Sequence, residues 1–249
     1  MKRVFFVWMW LIIFILTPIG FVYADFNITL DPGHGGTALG ATRVYDNETI
    51  LERDLNLKIA QFMREEFANY RTPDGHGVNV YLTRGDNSTN PSLAERVKLG
   101  KRTGSKLVVS LHNNAAPGHM KGSMVIVTNS NVRGFYQLED TLGKMILEEL
   151  TKIGISVVKD GTFLSGRLEG GLLRRCSESG RTYKNGKLAD YYGIIRIGTE
   201  EGIPSIIIEH CFLDDENDYR SFLSSDEKLR NLAIADVNAI ARYYGLVLR

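Results

Sequence analysis

The sequence predicts a single α/β domain: a mostly parallel, twisted sheet of about six strands with helices on both faces. Short β-like runs alternate with helical ones along the 249 residues, which is the pattern of layered α/β folds. Leu107-Val108-Val109 and Ile206-Ile207-Ile208 are apolar on both faces, as strands covered on each side must be. Hydrophobic residues make up 43% of the chain, enough for one full core, and no repeat or low-complexity segment is visible.

The first segment reads as separate from the domain. Met1-Lys2-Arg3 is a positive start, residues 4–16 are unbroken apolar sequence, and Thr17-Pro18 breaks the run. Val22-Tyr23-Ala24 then offers small residues for cleavage. Residues 1–24 therefore read as an export signal cleaved after Ala24. The alternative is an uncleaved membrane anchor, since residues 4–24 carry no charge and are just long enough to span a bilayer. On either reading, residues 25–249 form a domain expected to work outside the cytoplasm.

Within the domain, candidate strands lie at 27–30, 78–83, 107–111, 123–128, 192–196 and 205–209. The first ends at Asp31-Pro32, where proline fixes φ and cannot donate to a ladder. Gly33, Gly35 and Gly36 then permit positive φ and close approach of a ligand on both sides of His34. A helix over residues 49–70 places Leu51, Leu55, Ile59, Phe62 and Met63 on one stripe, with Thr49 and Glu52 spaced as a capping box. Asn90 as N-cap with Pro91 at the first helical position opens a second helix ending near Gly104. A third, over residues 133–153, turns Leu138, Leu142, Met145 and Leu150 inward. The last opens on Ser224 and Glu227 as a capping box and buries Leu229, Ala233, Val237 and Ile240. Residues 154–190, rich in Gly, Ser and Arg, read as a long surface excursion.

Charge and cysteine content narrow the partners. Without residues 1–24, which hold Lys2 and Arg3 and no acid, 28 basic residues face 29 acidic ones. That balance speaks against a nucleic-acid partner. Cys176 and Cys211 allow one disulfide at most, but Cys176 lies in a polar loop and Cys211 follows an apolar strand. Nothing brings them together, and a buried thiol is expected at Cys211.

Chemistry gathers at one edge. In a mostly parallel sheet, functional groups collect at the carboxyl ends of strands. His34 follows the first strand, His112 closes LVVSLH, and Glu209 closes SIIIE. Glu52, in the first turn of the first helix, can face the same edge. Three such side chains can hold Zn²⁺ and leave a position for water, while the fourth takes the water's proton. Bland roles compete for two of them, a cap for Glu52 and a strand-end hydrogen bond for His112. Glu209 is harder to explain that way, because an acid ending so apolar a run needs a partner. Arg196, closing YGIIR, could hold a substrate carboxylate or carbonyl with its fork of donors. His76 precedes a strand and belongs at the opposite edge, His119 is a reserve ligand, and His210 points away from Glu209 into a supporting or packing role.

At these residues the chain resembles the zinc-dependent N-acetylmuramoyl-L-alanine amidases, cell-wall hydrolases with an α/β catalytic domain. The motifs that carry the resemblance are LDPGHGG, LERDLNL, LTRGDNSTNPSLAERVKLGKRTGSKLVVSLHNNA and GIPSIIIEHCFLDDENDY, which together span nearly all of residues 27–244. The resemblance implies that His34, Glu52 and His112 are zinc ligands and that Glu209 is the catalytic glutamate. It implies hydrolysis of the amide between the lactyl group of N-acetylmuramic acid and L-alanine. Peptidoglycan would be the partner, acted on by a monomer. The family often carries a small residue, then Gly or Ala, then Phe after the glutamate. Here His210, Cys211 and Phe212 follow it, and Cys211 on an ideal strand would share the side of Glu209. Two alternatives from the sequence are a non-catalytic peptidoglycan-binding module on the same scaffold and a zinc carboxypeptidase acting on the stem peptide.

Overall fold

The computed structural model describes residues 25–116, 120–130 and 132–249. The proposed signal or anchor at residues 1–24, and His119, lie outside the described residues. Among the described residues, no helix is long and apolar enough to cross a membrane.

The chain runs through β1 (Phe26–Pro32), β2 (Thr42–Tyr45), β3 (Glu48–Leu51), α1 (Glu52–Phe67), β4 (Tyr70–Arg71) and β5 (Val78–Leu82). It continues with α2 (Leu93–Arg102), β6 (Val108–Asn114), β7 (Met124–Ile126), α3 (Tyr136–Lys152), β8 (Gly161–Phe163), β9 (Gly166–Glu169) and β10 (Leu172–Arg174). It closes with α4 (Gly193–Glu201), β11 (Ser205–Phe212), α5 (Glu216–Asp218), α6 (Asp226–Tyr244) and β12 (Val247–Leu248). Eight strands form the central sheet in the order β5-β1-β6-β11-β7-β10-β9-β8. The four strands from β5 to β11 are parallel, β7 runs against β11, and β10 runs with β7. β9 and β8 then alternate in direction.

Helices cover both faces, and each face buries its own apolar layer. On one side, Ile59, Met63 and Phe67 of α1, Leu142 and Ile146 of α3, and Val237 and Ile240 of α6 pack on Ile28, Leu30, Val109, Ile206 and Ile208. On the other, Val97 of α2 and Ile194 and Ile195 of α4 pack with Val108, Ile207 and Phe212. Each such side chain contributes roughly 1.5–3 kcal/mol by leaving water. The two-sided apolar runs of β6 and β11 are therefore explained.

The structure departs from the sequence-based expectation in five places. Residues 192–196 are not a strand: Gly193–Glu201 form α4. Its glycines let the helix lie close to its neighbours, since a Cβ on Gly193 would meet Leu93 at 2.4 Å and one on Gly198 would meet Ser205 Oγ at 2.2 Å. α1 starts at Glu52, with Leu51 as its N-cap and no side-chain cap bond. Thr49 instead sits in a hairpin whose turn residues, Asp46 and Asn47, both take positive φ, as a two-residue type I′ loop requires. α2 is capped by Ser92, not Asn90, in a capping box with Glu95. α6 is capped by Ser225, whose side chain accepts from the Lys228 N–H, not by Ser224. Residues 154–190 contribute β8, β9 and β10, which join the five expected strands that remain once 192–196 is a helix and bring the sheet to eight.

Candidate active site

The parallel run of β1, β6 and β11 decides where the chemistry falls. His34 follows β1, His112 lies near the end of β6, and Glu209 is its register partner on β11. Strand alternation puts His112 and Glu209 on the α2 and α4 face, the one that carries Ile207. Glu52, the first residue of α1, reaches over the same edge.

His34, Glu52 and His112 meet there, with their ligand-type atoms all within 4.8 Å of one another. Glu52 Oε2 lies 3.0 Å from His34 Nε2, and Oε1 lies 2.9 Å from His112 Nδ1. Glu52 also accepts from the Ala41 N–H at 2.7 Å and the Asn113 N–H at 3.2 Å. Burial pushes its carboxyl up, but the hydrogen bonds of His112 and His34 outweigh this and hold it well below the usual carboxylate range. The carboxylate thus spends its capacity on the two imidazoles, two backbone donors and the Asn56 amide at 3.4 Å, and the competing cap role beside Thr49 is absent. Two imidazoles and a carboxylate within this span are the donor set of open, three-residue zinc sites.

Glu209 faces the cluster with a different environment. Its Oε2 is buried and has no hydrogen-bond partner among the described residues. Burial, and then the negative charge of Glu52, push the carboxyl well above its ordinary range. The apolar run before it supplies that environment, because Ile207 lines the same cleft. That cleft, about 480 Å³, also takes in His34, Glu52, His112, Leu93, Tyr192 and Ile194.

The loop that carries His34 is held by residues that the sequence did not single out. His34 itself takes φ 63°, a conformation that L-residues seldom hold without support. Arg96 Nη1 donates to Asp31 at 2.6 Å and to the Pro32 carbonyl at 2.9 Å, and its Nη2 donates to the His34 carbonyl at 2.8 Å. Arg84 donates to the carbonyls of Pro32 and Gly33, each at 2.9 Å. Asp31 completes the frame by accepting from Ser110 and Thr83. The available signal was an acid beside the DPGHGG turn and two arginines in a polar loop and helix that had to come near it.

Other candidates named from the sequence fall elsewhere. Arg196, on α4, donates to the carbonyls of Asp190 and Tyr191 and is absent from the cleft lining. Cys211 is fully buried on the face opposite Glu209, because the register of β11 shifts between Glu209 and Phe212. The shift breaks the alternation that would have returned it to Glu209's side. Cys176 is exposed, and both thiols are free. His76 lies half-buried near Asp25 and Asp74 at the opposite edge. His210 points away from Glu209 and is fully buried.

Sheet, cluster and cleft define the class: an α/β domain with a metal-type donor set facing a desolvated carboxyl. The chain belongs to the N-acetylmuramoyl-L-alanine amidase family, whose profile matches residues 28–242. It is 28% identical over 207 residues to the germination-specific N-acetylmuramoyl-L-alanine amidase of Bacillus subtilis (strain 168), covering 71% of this chain and 81% of that one. It is 26% identical over 220 residues to an uncharacterized cell wall amidase of Bacillus anthracis, covering 88% of this chain but only 35% of that longer protein. Among solved structures, the amidase Ami1 of Mycobacterium smegmatis matches with TM-score 0.67 at 18% identity, over 88% of this chain and 97% of that one. The CwlD amidase of Clostridioides difficile, solved in complex with the GerS lipoprotein, matches with TM-score 0.61 at 23% identity, over 88% and 98%. At such identities the likeness to solved structures speaks to the fold.

Proposed function

We propose that this protein hydrolyses the amide joining the lactyl group of N-acetylmuramic acid to L-alanine in peptidoglycan, outside the cytoplasm, with Zn²⁺ as cofactor. One observation carries the reading: the His34–Glu52–His112 cluster shares a cleft with Glu209, whose buried Oε2 lacks a partner among the described residues. Family membership supplies the substrate class.

His34, Glu52 and His112 would hold the ion. When bound, zinc supplies Lewis acidity, lowering the pKa of water towards about 7 and polarising the lactyl carbonyl. Glu209 Oε2 accepts the proton of the attacking water and returns it to the departing L-alanine nitrogen. Burial of the carboxyl, on the cleft wall that Ile207 also lines, keeps its proton affinity high. Residues 1–24 serve as the signal or anchor that delivers the domain to its substrate.

The test is product analysis on defined muropeptides with purified protein. The expected result is zinc bound in equimolar amount and peptides released with a free L-alanine N-terminus. E209Q should keep its zinc and lose at least about 10²-fold in kcat, the lower range for a positioned acid–base group. Removal of only a terminal amino acid would make the enzyme a carboxypeptidase. E209Q with full activity would overturn the assigned role.

A further inference from the structure

The residue after Glu209 stands where the alternation of β11 fails. Glu209 pairs in register with His112, but pairing resumes only at Phe212 with Asn114. Glu209 is still held by pairing with His112 and, on the other side, with Met124 of β7, but ladder bonds lapse for the two residues that follow it. His210 occupies this gap with a side-chain tie. Its Nδ1 lies 3.1 Å from the carbonyl oxygen of His112, and its Nε2 lies 2.7 Å from Asp236 Oδ2 on α6. A carbonyl only accepts, so Nδ1 carries a hydrogen and donates it. With both ring nitrogens engaged, the imidazole cannot turn.

Both side chains of the pair are fully buried, and Asp236 Oδ1 has no partner among the described residues. Such a pair is seldom more stabilising than apolar residues of the same volume. The same face carries the buried hydrocarbon of Ile206, Ile208, Val237 and Ile240 and one other buried polar pair, Asn113 with Asn56. Packing alone therefore does not account for a histidine and an aspartate at these positions. Direction does: the ring is one peptide bond from Glu209 and hydrogen-bonded to the residue that carries the His112 imidazole.

We propose that His210, keyed by Asp236, is a positioning residue for the reaction, tying β11 to β6 so that Glu209 and His112 keep their mutual placement. The inference rests on the function proposed above. It is tested by zinc affinity, from competition with a chromogenic chelator, together with kcat and KM at saturating zinc. H210L/D236L, which replaces the pair with hydrocarbon, should bind zinc roughly 10- to 100-fold more weakly and lose a similar factor in kcat, with KM unchanged. H210N keeps a donor near the Nδ1 position and should stay closer to wild type than H210Q, whose amide sits near the Nε2 position. A folded H210L/D236L with wild-type affinity and kcat overturns the inference and leaves the proposed function standing. Should the leucine pair not fold, equal behaviour of H210N and H210Q in both readouts overturns it. A wild-type protein that binds no zinc, or releases no peptide, overturns the proposed function and this inference with it.

Discussion

At Gly33 the site has no room for a side chain. A Cβ there would lie 2.2–2.7 Å from three atoms of the His112 ring. G33A must therefore displace the ring, at a cost of about 1–3 kcal/mol for overpacking. Urea midpoints should show that loss, and kcat/KM should fall further than folding stability explains, because the displaced group belongs to the cluster. A wild-type kcat/KM in folded G33A would mean that His112 is not needed where it stands. Gly40 makes the same kind of room, since a Cβ there would come within 2.4 Å of Glu52 Oε2 and 2.7 Å of His34. The sequence made His34, Glu52, His112 and Glu209 legible as a group because three stand at a strand's carboxyl end or in the turn that follows, and Glu52 opens a helix that can face the same edge. The purpose of the glycines was not legible in the same way. Gly33 does not hold the approach open for a ligand, but leaves space for a neighbouring imidazole, and that neighbour is 79 positions away. No local pattern announces such a contact.

Elements are held to one another by buried polar groups, and two of these support predictions. Arg96 of α2 and Asp31 of β1 are 3% and 1% exposed. R96M leaves Asp31 with only hydroxyl partners, and breaking a buried pair in this way costs about 3–5 kcal/mol. D31N/R96M should recover part of the stability but none of the lost kcat, since the His34 carbonyl still lacks its donor. Parallel recovery of both in denaturant titrations and turnover assays would show that Arg96 acts on stability alone. Glu139, in the first turn of α3, accepts from the N–H groups of Thr128 and Ser205 at 2.8 and 3.2 Å, binding α3 to the end of β7 and the start of β11. Burial, aided by the charge of Asp190, outweighs these bonds and pushes the carboxyl up to about 8 from 4.5. A raised acid favours the folded state below its unfolded value, and that contribution fades as pH climbs towards about 8. Urea midpoints should fall between about pH 5 and 8, and E139Q should flatten the slope while losing about 1–3 kcal/mol at low pH for the unmatched N–H. At this scale the long helices are readable from their stripes, whereas YGIIRIG, β-branched and apolar, reads as a strand. Its glycines, packed against Leu93 and Ser205, favour a helix through tertiary contact. TRVYDNETIL carries a hairpin signal in Asp46-Asn47 that the helical stripe beginning at Leu51 overshadows.

The whole molecule brings together, at one sheet edge, side chains that the chain keeps far apart. His34 hangs from the loop after β1, Glu52 from α1 and His112 from β6, and β1, β6 and α1 all pack into the same core layer. An ion held by all three would join those elements in the folded state and find no such site in the unfolded chain. By mass action it then stabilises the fold by about 2.7 kcal/mol at a free concentration one hundred times its Kd, and by about 4.1 kcal/mol at a thousand times. For a domain of this size each kcal/mol moves Tm by about 2–4 °C. Titrating zinc into chelator-treated protein should therefore raise Tm continuously, by about 5–10 °C at the first of those concentrations. H112A and E52Q should shift the whole curve to higher zinc. E209Q should leave it in place, because Glu209 stands outside the three-residue cluster and its proposed role is proton transfer. A Tm that ignores zinc in the wild type would show that the three donors do not bind it together. A curve displaced by E209Q as far as by H112A would place Glu209 among the ligands, and the division of labour across the cleft would have to be redrawn.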